Sequence, residues 1–368
     1  MIHLAVLALI GSTGCAVEVQ NTEPELGKYE AAQSTDEGKA DWGFDICERR
    51  GWYGDGECDW FCPRHDLDCD APVLGADPSG SATQYPIVLE HGFAGSTSNM
   101  WAFNGVASAL RRDGHVVYES EVPPFDEPAV RATYLSEVVD RALLETGAAK
   151  VNIIAHSMGG LDARELVSVL GYGDRVASVT TIASPHAGTR VADLALEYLD
   201  NDLANSLLSS LARAFGRTFS NTSESADVRA TLRALSEANA ARFAADHPND
   251  PRVYYQSWAG VSSPFGVANP NDEYACDGLQ LRNPGTTDKV DGLLLATWLV
   301  LSRGALRVPN DGLSTVQSAK LGLFRGCIPA DHLDEVGQVN DMGVNANTGF
   351  DHIRFYRNVA FELAELGY

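Results

Sequence analysis

The chain has no apolar run approaching the roughly 18–20 residues that a membrane-spanning helix needs, and it is poor in positive charge. Its 27 Lys and Arg are set against 50 Asp and Glu, a formal net charge of −23 over 368 residues. A basic field able to neutralise phosphates is missing, which excludes nucleic acid as a partner. Adsorption to anionic lipid by charge is disfavoured for the same reason, so any contact with lipid has to be apolar. No internal repeat is visible. Hydrophobic residues make up 45% of the chain and charged residues 21%. A sizeable core can therefore form, and the length suits one large α/β domain with a small appendage.

Leu4 to Ile10 is a short apolar run followed by Gly11-Ser12-Thr13-Gly14-Cys15. Residues 1–15 read as an export signal, although only His3 stands where a basic segment is usual. Small residues ending in cysteine also fit a lipobox, in which Cys15 would carry the lipid anchor. Ser12 sits where that pattern prefers Leu, and cleavage without lipidation stays open. The expectation is a bacterial protein that is secreted or held at the outer membrane. Seven cysteines leave one over in an exported chain. With Cys15 set aside, Cys47, Cys58, Cys62 and Cys69 form a cluster of two local bridges, and Cys276 and Cys327 a long-range one.

Residues 16–40 are polar and acidic and read as a disordered linker. Residues 41–70 form a Cys-rich, disulfide-held module, in which four cysteines allow three pairings. Its Asp55, Glu57, Asp59, Asp66 and Asp68 are hard oxygen donors that would also suit calcium. A larger domain over 76–368 follows. Ile87–Leu89, His115–Glu119, Val151–Ile154 and Val176–Ile182 read as strands. Trp101–Arg112, Ala129–Thr146 and Gly160–Leu170 read as helices between them. Alternation of this kind, with continuous apolar strands, predicts an α/β fold with a mainly parallel sheet covered on both faces.

The stretch Val151-Asn152-Ile153-Ile154-Ala155-His156-Ser157-Met158-Gly159-Gly160 carries the chemistry. It reads as strand, tight turn and helix, and the turn fits the nucleophile elbow G-x-S-x-G with Ala155 in the first small position. Such a turn lifts the Ser157 hydroxyl above the carboxyl edge of the sheet, over a helix N-terminus that favours developing negative charge. An acyl-transfer serine needs a base, an orienting acid and an oxyanion hole. Asn310-Asp311-Gly312 is a turn after an apolar run and offers Asp311 as the acid. His332, in a loop, is the candidate base. His352 opens an amphipathic C-terminal helix and reads as a surface or capping residue. The backbone N–H groups of Phe93 and Met158 are the candidate oxyanion donors. His91, His156 and His186 read as supporting residues.

Several segments together resemble the bacterial triacylglycerol lipases of family I, the Pseudomonas and Burkholderia type. They are PIVLEHGFAGS at 86–96, AHSMGG at 155–160, SPHAGT at 184–189, YYQSWAG at 254–260, NDGL at 310–313 and DHLDEVGQ at 331–338. The resemblance runs from about Tyr85 to Tyr368 and implies the α/β-hydrolase fold with Ser157, Asp311 and His332 as the triad. It implies one structural calcium ion held by Asp291, Asp334 and the Gln338 carbonyl, with Asp288 competing for the place of Asp291. It also implies a helical lid in the region of about 190–250, where Leu203, Leu207, Leu208, Leu211, Phe215 and Phe219 share one helical face.

The expected substrate is a lipid ester, foremost a triacylglycerol, met at an oil–water interface by a monomer; relatives of this type raise a folding chaperone as a further partner. A carboxylesterase, phospholipase or polyester hydrolase of the same fold is the alternative. A surface-anchored binding protein with an inactive hydrolase domain is the non-enzymatic one.

Overall fold

The computed structural model describes residues 78–93, 95, 103–198, 228–277, 286–304, 307–338, 344–345 and 347–368. All of them lie in the unit that runs from Asp70 to Tyr368. The expectations for Cys15, Cys47, Cys58, Cys62 and Cys69, for the linker and for the 203–219 apolar stripe fall outside the described residues.

Six strands form one parallel sheet: β1 (Ile87–Glu90), β2 (Val117–Glu119), β3 (Val151–His156), β4 (Val176–Ile182), β5 (Tyr254–Gly260) and, from further along the chain, Leu323–Ile328. Two short strands, β6 (Ser262–Ser263) and β7 (Asp288–Lys289), pair separately, so the sixth strand of the main sheet is β8. The spatial order is β2-β1-β3-β4-β5-β8. The chain goes from β1 outward to β2 and then returns to the other side of β1 as β3. This reversal opens a crevice at the carboxyl ends of β1 and β3, where ligands bind in open α/β sheets.

Burial follows from the pleat. Along β1, Ile87 and Leu89 point into one core layer and Val88 into the other; along β3, Ile154 joins the first and Ile153 and Ala155 the second. The first layer is closed by α1 (Val106–Arg112) and by the C-terminal helix His352–Glu365, through Leu110, Val359 and Leu363. The second is closed by α2 (Pro128–Thr146) and α3 (Gly159–Ser168), through Leu135, Val139 and Leu166. Strands buried on both faces need unbroken apolar sequence, which is the pattern of Val151–Ile154. Polar residues inside the sheet pair across strands: Ser178 Oγ donates to Asn152 Oδ1 at 2.7 Å, and Gln256 Nε2 to Thr180 Oγ1 at 3.0 Å.

Two expectations change. The first helix is described from Val106, behind a Gly105 with φ 71°, and not from Trp101. His352 is no surface residue. It is 2% exposed, its Nε2–H donates to the Asn104 carbonyl at 2.8 Å, and Asp351 supplies the helix cap by accepting from Arg354 N. An amphipathic pattern marks its neighbours as buried, but a histidine at the first helical position reads as polar until the facing loop is known.

The long-range bridge Cys276–Cys327 is present, with Cα atoms 5.5 Å apart. It fastens the end of the short helix Asp272–Ala275 to β8, five residues before His332.

Candidate active site

Ser157 follows β3 directly, with φ at 56°. A non-glycine residue in that region is strained, and the strain persists only where the surroundings over-determine it. Here they do. Ser157 N–H donates to the Ile182 carbonyl of β4 at 2.9 Å, and its own carbonyl accepts from Gly160 at 3.1 Å. Small residues around the turn are required. A Cβ on Gly159 would stand 2.6 Å from the Glu90 carbonyl oxygen, and one on Gly160 would collide with Ser184.

The turn delivers the hydroxyl to His332. Ser157 Oγ donates to His332 Nε2 at 2.8 Å, and His332 Nδ1–H donates to Asp311 Oδ2 at 2.8 Å. The carboxylate fixes the tautomer that leaves Nε2 free to accept. Asp311 is held in turn: its Oδ1 accepts from Leu313 N at 2.7 Å and Ser314 N at 2.6 Å, so Oδ2 is aimed at the ring. The Asp311 carbonyl also accepts from His332 N at 3.0 Å. Both residues are buried, whereas Ser157 is partly open. Ser157, Asp311 and His332, separated by up to 175 positions, are thus brought into one hydrogen-bonded line.

Phe93 and Met158 flank this line. Met158 is the residue before α3, and Phe93 sits in the turn after β1. Gly92 brings the two segments together, since a Cβ there would lie 2.6 Å from Ser157 Cβ. An apolar cleft opens above Ser157 and His332. Its walls include Phe93, Pro185, Leu313 and residues of two helices not yet named, α4 (Arg190–Tyr198) and α5 (Val228–Leu235), which contribute Val191, Leu232 and Leu235.

The supporting histidines are neutral. Burial holds His91 down at about 3, with the Arg131 charge adding to the effect. Burial above all holds His156 well below the usual range, and burial does the same for His186. The His156 ring lies 4.6 Å from the His332 ring. Its Nε2 is 2.9 Å from Glu335 Oε2, and that same oxygen is 3.8 Å from His332 Nδ1. Glu335 is fully buried and pushed well above the carboxylate range by burial and then by Asp311. Nothing in sequence singled out Glu335; its place three residues after His332, on the turn Asp334–Val336, was the available signal.

A second cluster adjoins the His332 loop. Asp288, Asp331 and Asp334 offer oxygens within 4.8 Å of one another. Burial and the Asp288 charge push Asp331 up to about 8, against the backbone N–H groups of Asp291, Asp334 and Leu333, which hold it down. Three hard oxygen donors so placed fit a divalent cation. Asp334 was expected here, and so was Asp288 as the competitor of Asp291. Asp291 borders this cluster: its N–H donates to Asp331 Oδ2 at 2.6 Å and its Oδ1 accepts from Leu293 N at 2.7 Å, while β7 carries Asp288 to the His332 loop, where it accepts from Asp331 N at 2.8 Å. Asp331, which the sequence did not single out, completes the set. Gln338 is buried at the end of the same loop, its N–H bonded to the Leu333 carbonyl.

The model of the alpha/beta hydrolase fold matches residues 85–304, and the triacylglycerol lipase of Vibrio cholerae is 30% identical over 306 residues, covering 77% of this chain and 89% of that one. The chain belongs to the α/β-hydrolase family, among its bacterial lipases. A second relative, the triacylglycerol lipase of Burkholderia plantarii, is 38% identical over 140 residues, 36% of this chain and 38% of that one. The fold is shared with the Staphylococcus hyicus lipase (TM-score 0.54, 18% identity, 78% of this chain and 98% of that one). It is shared also with a metagenomic carboxyl esterase (TM-score 0.57, 19% identity, 78% and 77%). The bacterial lipase is therefore an ester hydrolase.

Proposed function

We propose that this α/β hydrolase cleaves the esters of triacylglycerols through an acyl-enzyme on Ser157. The observation that carries the reading is the unbroken line Ser157 Oγ–His332–Asp311, at 2.8 Å per step, under an apolar cleft. His332 takes the proton of Ser157 as Oγ attacks the carbonyl carbon, and Asp311 stabilises the imidazolium. The N–H groups of Phe93 and Met158 hold the tetrahedral oxyanion. His332 then gives its proton to the departing glycerol oxygen. In the second half it removes a proton from water as the water oxygen attacks the acyl carbon, and returns that proton to Ser157 Oγ as the Oγ–acyl bond breaks and the fatty acid leaves.

The apolar walls favour acyl chains, and the names borne by the relatives support triacylglycerol over other esters. Calcium is the cation we assign to Asp288, Asp331 and Asp334, with the Gln338 carbonyl on the same loop. Bound there, it would neutralise the acids and stiffen the loop that carries His332. It takes no part in bond making. The apolar segment Leu4–Ile10 and the bridge Cys276–Cys327 support export to an oxidising compartment.

Initial rates on emulsified triolein and on dissolved 4-nitrophenyl butyrate test the substrate class. Turnover of triolein at a rate comparable with the soluble ester is expected. Turnover of the soluble ester alone would replace the lipase by an esterase.

A further inference from the structure

Arg131, on α2, is completely buried. Removing a guanidinium from water is costly unless its donors and charge are matched, and here they are spread over three different elements. Nε donates to Asp162 Oδ2 at 2.8 Å, and Nη1 to the Pro123 carbonyl at 2.8 Å. Nη2 donates to the His91 carbonyl at 2.6 Å and reaches Glu90 Oε1 at 3.3 Å. Glu90 and Asp162 are themselves buried to 0% exposure.

These contacts have a common geometry. His91 lies two residues before Phe93, in the turn after β1, and Asp162 lies in the first turn of α3, four residues after Met158. The two segments are those whose N–H groups the proposed mechanism uses for the oxyanion, and they touch: Gly159 lies against the carbonyls of Glu90 and His91, and Gly92 against Ser157. A peptide plane is rigid, so fixing the His91 carbonyl constrains the orientation of the chain that follows it. The next peptide, Gly92–Phe93, is held within the loop, its Gly92 carbonyl accepting from His91 Nδ1 at 2.9 Å and from Gly95 N at 3.2 Å, so Arg131 fixes the peptide on which that turn is built.

We propose that Arg131 is a positioning residue that holds the two oxyanion-binding segments in register, one guanidinium spanning the carbonyl of His91 and the carboxylate of Asp162. It touches no substrate and acts through the His91–Gly92 peptide, one before the peptide that carries the Phe93 N–H. The inference rests on Ser157 chemistry as proposed above and adds a residue to it. Its consequence is specific. Oxyanion contacts are made fully only in the transition state, so their misplacement lowers kcat and leaves KM nearly unchanged. A merely structural ion cluster would lower thermal stability and leave the folded fraction fully active.

The experiment compares wild type, Arg131→Lys and Asp162→Asn by kcat and KM on 4-nitrophenyl butyrate, and by the Ki of an alkylboronic acid that mimics the tetrahedral state. Lysine keeps the charge but cannot serve three directions at once. For Arg131→Lys we expect kcat to fall by about 10²-fold, as for loss of one oxyanion donor, with boronate Ki rising in parallel and KM within about threefold. Asp162→Asn is isosteric and keeps the His91 contact, so a smaller loss of roughly tenfold is expected.

If Arg131→Lys does not fold, Asp162→Asn decides alone. Folded variants with wild-type kcat and Ki, or with a change confined to KM, overturn the proposal. Ser157→Ala is run alongside: ester cleavage that survives it overturns the underlying mechanism, and the proposal with it, whatever Arg131 does.

Discussion

Gly92 lies so close to Ser157 that a Cβ at position 92 would stand 2.6 Å from Ser157 Cβ, 3.2 Å from its Oγ and 3.1 Å from the His156 carbonyl oxygen. Backbone as well as side chain is in the way, so no rotamer change relieves the clash. Gly92→Ala is expected to lose about 10²-fold or more in kcat/KM as the Phe93 turn and the elbow move apart. Circular dichroism beside ester kinetics reads this. An alanine variant with wild-type activity would show that the turn moves freely.

Asp311→Asn keeps the shape of the acid and removes its charge. The amide can present N–H groups to His332 and favour the tautomer that cannot accept from Ser157. A fall of about 10³- to 10⁴-fold in kcat is expected, the size found when the acid of such a triad is made neutral. A loss of under tenfold would mean that another group orients the imidazole.

The acid cluster separates two readings of the cation site. Chelation is expected to lower the melting temperature of the wild type and its activity, with restoration by added calcium. Asp288→Asn and Asp334→Asn are expected to abolish that response, whereas Asp291→Asn should retain it because Asp291 meets the three carboxylates through its backbone N–H, which the substitution keeps. A calcium-dependent melting curve that disappears with Asp291→Asn and survives Asp288→Asn would reverse the assignment.

His91 gives a pH dependence of stated sign. Its folded-state value is lowered from 6.5 to about 3, so the unfolded chain takes up a proton first as the pH falls. Stability is whole above pH 6.5 and is lost between there and about 3. His91→Asn removes this linkage and can still donate to the Gly92 carbonyl. The unfolding free energy of wild type relative to this variant should drop on acidification, approaching about 1.4 kcal/mol per pH unit. The raised Glu90 and Asp162 pull the other way, but they remain in both proteins and largely cancel in the difference. Parallel pH curves would contradict a buried, neutral His91.

Much of this was legible in the sequence. Val151–Ile154 is an apolar strand ahead of a small-residue turn, and Ser157, Asp311 and His332 follow in the order the fold demands, so sheet and site line could be read together. What stayed hidden is polar, buried and non-local. Arg131 in an amphipathic helical stretch looks like a solvated residue, since its partners at 90, 91 and 162 lie 31 to 41 positions away. Glu335 and Asp331 look like surface acids in a chain of charge −23, and only the packing of the His332 loop against β5 and β7 buries them. Asp288 and Asp291 both precede the same helix and both reach Asp331, Asp288 through its carboxylate and Asp291 through its backbone N–H, a difference that sequence does not carry.

Ser157 as the acylated nucleophile is the claim on which the rest depends, and covalent labelling reads it most directly. Folded wild type and Ser157→Ala are treated with diethyl 4-nitrophenyl phosphate and their peptides are mapped by mass spectrometry, beside assays on triolein. One diethylphosphoryl group on the Ser157 peptide, complete loss of activity with it, and neither label nor turnover in the alanine variant are predicted. A label on another residue that tracks the loss of activity, or ester cleavage by Ser157→Ala, would contradict the mechanism.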